Sequence, residues 1–74
     1  MKIVVIGAGA MGSIYGGRLS QKNEVYLIDT NREIVDEINR HGLRLPEQEK
    51  ELVFHPKART SAGGIGEADL VILF

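Results

Sequence analysis

Apolar residues fall in short blocks divided by polar or glycine-rich stretches, and the period inside the blocks changes along the chain. Lys2–Ile6 is β-branched and continuously apolar after its lysine, the pattern of a strand covered on both faces of a parallel sheet. From Ala10 to Gln21 the spacing turns helical. Met11, Ile14, Tyr15 and Leu19 fall on one side, with Ser13, Arg18, Ser20 and Gln21 mostly on the other. Asn23 is the expected left-handed stop of that helix. Val25–Ile28 reads as a second buried strand. Thr30-Asn31-Arg32-Glu33 has the form of a capping box, the Thr30 hydroxyl and the Glu33 carboxylate satisfying free N–H groups reciprocally. Ile34, Val35 and Ile38 then form the stripe of a second helix, which Gly42 stops after the basic pair Arg40-His41.

The signals are weaker beyond Gly42. Leu43-Arg44-Leu45 alternates like a short strand that Pro46 breaks, and the charged run Glu47 to Glu51 reads as a solvated loop or turn. Leu52–His55 is a further short strand, made edge-like by Pro56. Leu70–Phe74 has the composition of a central strand. Strand, helix, strand, helix, short strands, strand is the order of an α/β protein. The fold expected is a partial Rossmann fold: an N-terminal βαβ unit of a doubly wound parallel sheet with further strands. Lys2–Ile6 should pair in parallel with Val25–Ile28 on one side and Leu70–Phe74 on the other, in 3-2-1-4 order. Residues 1–74 are then the N-terminal part of a dinucleotide-binding domain, truncated, with a C-terminal substrate domain lying outside them.

The stretch that carries chemistry is Gly7-Ala8-Gly9-Ala10-Met11-Gly12, placed directly after a strand and at the opening of a helix. Gly7 permits the tight turn, Gly9 lacks the Cβ that would hold a pyrophosphate off the backbone, and Gly12 lets helix and strand approach. The free N–H groups and dipole of that helix face the phosphates, the dipole alone being worth about 0.3–2 kcal/mol. Gly16 and Gly17, inside the same helix, cost roughly 1 kcal/mol each against alanine. That cost points to close approach on this side, to a strand or to the ligand. Asp29 ends the second strand, 22 residues after Gly7, where its carboxylate can accept from adenosine ribose hydroxyls. A 2′-phosphate at ~4 Å from that carboxylate would be repelled by roughly 4 kcal/mol at an effective dielectric of ~20. Asp29 therefore favours NAD(H), whereas Arg32 stands within reach of a 2′-phosphate and favours NADP(H).

Composition narrows the rest. Nine Lys+Arg against ten Asp+Glu offer no basic surface for nucleic acid, and no apolar run approaches the ~20 residues of a membrane span. With no cysteine there is neither a disulfide framework nor a thiol nucleophile. A cytoplasmic chain is expected. His41 and His55 lack partners at ligand spacing and read as surface residues, so no metal site and no catalytic residue is assigned. Tyr15 reads as core. Gly63-Gly64-Ile65-Gly66 reads as a flexible surface loop in preference to an anion nest.

Met1–Gly12, the Gly16-Gly17-Arg18-Leu19 helix, Leu27-Ile28-Asp29, His41-Gly42-Leu43-Arg44-Leu45 and Ala68-Asp69-Leu70-Val71-Ile72-Leu73 together resemble the N-terminus of the ketopantoate reductase (2-dehydropantoate 2-reductase) family. The His-Gly-Leu-Arg-Leu and Ala-Asp-Leu-Val-Ile pieces discriminate more than the glycines do. The resemblance implies NADPH-dependent reduction of a small 2-keto acid, ketopantoate, to pantoate on the way to pantothenate and coenzyme A. It assigns Gly7, Ala8, Gly9, Ala10, Met11, Gly12, Asp29, Thr30 and Arg32 to the cofactor. The family's lysine, asparagine and glutamate contacts to substrate and cofactor come from regions outside these residues, so residues 1–74 alone are expected to be inactive. Members commonly carry arginine just after the second strand, where this chain has Thr30. Gly64-Ile65-Gly66-Glu67-Ala68-Asp69 also resembles the nucleotide-binding regulatory domain of potassium channels and transporters, and hydroxyacid dehydrogenases share the glycine motif. These are the alternative readings.

Overall fold

The computed structural model describes residues 1–7, 10–47 and 50–73, with residues 10–13, 45–47 and 50 described by their backbone alone. The elements in chain order are β1 (Lys2–Ile6), α1 (Ala10–Leu19), β2 (Glu24–Ile28), α2 (Arg32–His41), β3 (Leu43–Glu47), β4 (Lys50–Phe54), β5 (Lys57–Arg59) and β6 (Leu70–Leu73). Four strands form a parallel sheet in the order β5-β2-β1-β6, with Ile3 opposite Val25 on one side and Leu70 on the other. This is the expected parallel pairing and 3-2-1-4 order; Phe74, the last residue of the expected final strand, lies outside the described residues.

Side chains alternate across a strand, so the sheet has two distinct faces. Ile3, Val5, Val25, Leu27 and Ala58 point to the first face, where Val35 and Ile38 of α2 and Leu19 of α1 close over them. Val4 and Ile28 point to the second, where Ile65 covers them with Ile6, Tyr26 and Ala68 alongside. Val5 is 0% exposed on the first face and Val4 5% on the second, so β1 is covered on both faces as its unbroken apolar run requires.

α1 does not bury the stripe its spacing suggested. Ile14 is exposed and Tyr15 is 50% exposed, which corrects the reading of Tyr15 as core. Gly16 and Gly17 are the buried positions, and a Cβ on Gly16 would collide with Leu27 Cδ2. The helix is held to β2 by the absence of a side chain, and the approach at Gly16 is to a strand. α1 ends at Leu19, two residues before the expected Gln21. Ser20 N–H donates to the Gly16 carbonyl at 3.0 Å, and Asn23 acts through its side chain, Nδ2 donating to the Leu19 carbonyl at 3.0 Å.

The cap of α2 is shifted by one residue. Asn31, not Thr30, is the N-cap: its Oδ1 accepts from Glu33 N at 3.0 Å and Ile34 N at 3.3 Å. Asparagine and threonine both cap well, so sequence alone could not separate adjacent candidates. Gly42 ends the helix as expected, its N–H donating to the Ile38 carbonyl at 2.9 Å.

Pro46 does not break β3. It pairs with Glu51 in the antiparallel hairpin β3–β4, which extends to Glu47 opposite Lys50. A two-stranded ladder leaves alternate N–H groups pointing outward, where a missing donor is tolerated. The charged run is therefore partly strand; Gln48 and Glu49 lie outside the described residues. β5 had no sequence expectation at all. It is three residues long, and Asn39 of α2 grips its outer rim, Nδ2 donating to the Ala58 carbonyl at 2.8 Å and Oδ1 accepting from Ala58 N at 2.9 Å.

Candidate functional site

The carboxyl ends of β1, β2 and β5 meet at one rim of the sheet, the side on which open α/β sheets bind their ligands. Gly7 leaves β1 with φ of 90°, a backbone region that side chains disfavour, so the turn there needs glycine. Its N–H donates to the Ile28 carbonyl at 3.0 Å, which fastens the start of the glycine turn to the last residue of β2. Ala8 and Gly9 lie outside the described residues. Ala10, Met11 and Gly12 form the first turn of α1, described by their backbone.

Asp29 follows β2 directly and is half-buried. Its N–H donates to the Arg59 carbonyl at 3.0 Å, and its Oδ1 accepts from Asn31 N at 2.8 Å. One carboxylate oxygen is thus used to turn the chain into α2, and Oδ2 has no partner among the described residues. Thr30 is exposed between Asp29 and the cap, and Arg32 is the first residue of α2. The structure brings Gly7, Asp29, Thr30 and Arg32 to one rim.

Sequence reasoning did not single out Arg59, Thr60 and Ser61. They leave β5 at this same rim and line an open groove of about 310 Å³ with Arg32 and Asp36. The polar-apolar-polar triplet Lys57-Ala58-Arg59 followed by Thr60-Ser61 was the available signal, a strand too short to stand out from a loop.

At the opposite rim, Lys57 Nζ and Glu24 Oε1 form an ion pair at 3.0 Å, and Lys57 also lies 5.2 Å from the Tyr26 ring centroid. The hydrogen bond from Lys57, then that from Tyr26, holds the Glu24 carboxyl below its ordinary pKa, and Glu24 in turn raises that of Lys57. The loop at Gly63–Gly66 is anchored: Ile65 is buried and its carbonyl accepts from Lys2 Nζ. Lys2 N–H also donates to Asp69 Oδ2 at 2.7 Å while Asp69 N–H donates to the Lys2 carbonyl at 2.8 Å, setting the entry of β6. His41 and His55 are exposed, and among the described residues no group of three or more His, Asp or Glu side chains is placed to hold a metal. No described helix is long and apolar enough to cross a membrane.

A parallel sheet in this order, with a glycine turn leaving its first strand and an acidic residue closing its second, defines a Rossmann-type α/β unit. Residues 3–74 match the family model described as ketopantoate reductase PanE/ApbA, and the chain belongs to that family. It is 45% identical over 74 residues to the 2-dehydropantoate 2-reductase of Pyrococcus horikoshii, covering 99% of this chain and 24% of that protein. The crystal structure of a probable 2-dehydropantoate 2-reductase from Bacillus subtilis matches with a TM-score of 0.91 at 27% identity, over 100% of this chain and 25% of that one. A ternary structure of D-mandelate dehydrogenase with NADH and anilino(oxo)acetate matches with a TM-score of 0.88 at 43% identity, over 100% of this chain and 24% of that one. The chain spans about a quarter of the length of these relatives.

Proposed function

We propose that residues 1–74 are the opening part of the dinucleotide-binding domain of an oxidoreductase that reduces a small 2-keto acid at the expense of a nicotinamide dinucleotide, with ketopantoate as the substrate and pantoate as the product. The observation that carries this reading is the joining of Gly7 to Ile28, which sets the glycine turn beside the carboxylate of Asp29. Family membership supports the reaction class, and weighs against the channel-type regulatory domain.

The residues present fit such a cofactor. The turn at Gly7 and the first N–H groups of α1 suit a pyrophosphate, and the uncommitted Asp29 Oδ2 suits a ribose hydroxyl, a charge-assisted bond worth about 1.5–3 kcal/mol. Gly9, Ala8, Ala10, Met11 and Gly12 complete the pyrophosphate contact on this reading, and Thr30 and Arg32 border the ribose. The bound dinucleotide supplies the hydride for the keto carbon. The part played by these 74 residues is to hold and orient it, and turnover is not expected from them alone.

A second reading keeps the site and changes the substrate. The 43% identity to a D-mandelate dehydrogenase in complex with NADH favours a different 2-keto acid and the non-phosphorylated dinucleotide. One experiment addresses both. The full-length protein should oxidise a reduced nicotinamide dinucleotide when given ketopantoate, and Asp29→Asn, which retains an acceptor for the Asn31 N–H, should weaken dinucleotide binding by about 1.5–3 kcal/mol in titration. Turnover with phenylglyoxylate in place of ketopantoate would select the second reading. Failure to bind either dinucleotide would overturn both.

A further inference from the structure

Asp29 is held by more than its own strand. Its N–H donates to the Arg59 carbonyl at 3.0 Å, so the residue that follows β2 takes its position from the last residue of β5. β5 is three residues long and lies against β2 through the pairs Tyr26–Lys57, Leu27–Ala58 and Ile28–Arg59. Outer strands this short open readily when nothing holds their far side. Here Asn39 holds it, Nδ2 donating to the Ala58 carbonyl at 2.8 Å and Oδ1 accepting from Ala58 N at 2.9 Å. Both backbone polar groups of Ala58 are thereby satisfied by one side chain. Ala58 is 5% exposed and packs in one cluster with Val35 and Ile38 of the same helix.

The helix also reaches Asp29 from its other end. Asn31, the cap of α2, donates its N–H to Asp29 Oδ1 at 2.8 Å. Asn31 and Asn39 stand a little over two turns apart, roughly 12 Å along a rigid element. The bonds close a circuit that runs from Asp29 to Arg59, from Ala58 to Asn39, along α2 to Asn31, and back to Asp29. Inside it the Asp29 backbone and one carboxylate oxygen are fixed, and Oδ2 is left to meet a ligand. A carboxylate set in advance loses little freedom when it accepts from a hydroxyl, which favours binding.

We propose that Asn39 is a positioning residue for the dinucleotide, orienting the Asp29 carboxylate toward the ribose by acting through Ala58 and Arg59. The proposal rests on the dinucleotide reading and adds to it the far end of a relay whose near end is the binding carboxylate. Hydrogen bonds weaken steeply with misalignment, so a displaced Arg59 carbonyl is felt at Oδ2. Lys57 gives a contrast on the same strand, because its side chain pairs with Glu24 at the opposite rim.

Titration of the full-length protein with NADH and with NADPH at fixed salt tests it, the tighter of the two serving as probe. Asn39→Ala should raise the dissociation constant about fivefold, the effect of roughly one net hydrogen bond. Asn39→Asp, which keeps the acceptor for Ala58 N, should raise it as well. In an Asp29→Ala background the Asn39→Ala change should cost less than about twofold, because no carboxylate remains to be oriented. Lys57→Met should leave the constant unchanged. Equal losses from Asn39→Ala with and without the Asp29 carboxylate, an equal loss from Lys57→Met, or no loss from either Asn39 variant would overturn the relay and leave the dinucleotide reading in place. Binding of neither dinucleotide by the unmodified protein would overturn that reading, and the relay with it.

Discussion

The two faces of the parallel sheet are built from equally apolar strands and are covered in different ways. On the first face both helices pack down and seal a continuous cluster from Val25 to Ala58. On the second, Ile65 and its neighbours cover Val4 and Ile28, while Val71 and Leu73 of β6 stand exposed. Beside Tyr26 the second face is lined by charge: Tyr26 lies between Lys2 and Lys57, and Lys57 binds Glu24. In a doubly wound fold the helices of the two halves lie on opposite faces, and α1 and α2 both lie on one. The hydrophobic content of a strand thus records how much cover its position calls for, and the cover found on each face shows which elements supply it.

Leucine truncation is the strongest way to break this contrast. Leu27 is 1% exposed on the first face and Leu73 is 72% exposed on the second. Leu27→Ala should cost about 2–5 kcal/mol in denaturant unfolding, as for other buried leucines. Leu73→Ala should stay within about 0.5 kcal/mol of the unmodified chain. Similar losses at both sites would mean that the second face is covered after all.

The helix that seals the first face depends on its cap. Asn31→Ala should cost about 1 kcal/mol in the same measurement, whereas Thr30→Ala should fall within about 0.5 kcal/mol because Thr30 caps nothing. A larger loss at Thr30 than at Asn31 would restore the capping box at the expense of the observed cap.

The smallest effect belongs to the charged part of the second face. Glu24 has its carboxyl pKa lowered from the ordinary 4.5 by the hydrogen bonds from Lys57 and Tyr26, so its contribution is full above that value and is lost as pH falls through the lower, folded-state value. Lys57 is raised from 10.5 by Glu24, then Tyr26, so its contribution is full below that value and is lost as pH climbs through the higher one. Both groups are solvent-exposed, so the slope is shallow and weakens with salt. Unfolding midpoints of the unmodified chain and Lys57→Met, followed from about pH 7 to 3, should differ by a small constant amount near neutrality and converge on the acid side. A gap that widens in acid would show that the pair does not stabilise the second face.

Much of this architecture is legible in the amino-acid sequence. The β-branched runs at Lys2–Ile6 and Val25–Ile28, and the glycine turn between strand and helix, carry the parallel order by themselves, because few topologies satisfy them. Three features were not legible, for separate reasons. β5 is too short to show a period, and the residue that holds its outer edge, Asn39, lies 19 residues away from Ala58 in sequence. The burial of Gly16 in preference to Tyr15 is invisible to a hydrophobicity pattern, since a glycine contributes contact by what it lacks. At the candidate site, Gly7 and Asp29 could be read from type and spacing, whereas Arg59 reaches the same rim only through the tertiary placement of β5.

The grip of Asn39 on Ala58 gives the sheet a direction of growth. A strand edge normally offers its free N–H and C=O groups to any passing strand, and here the β5 edge has those of its central residue already occupied by an amide that imitates a neighbouring peptide. At the other edge no described strand pairs with the outer side of β6. Strand addition is therefore steered to β6, whether the newcomer belongs to the same polypeptide or to another. A single asparagine on a helix thus acts as a terminator, turning an edge open to endless stacking into one end of a finite object.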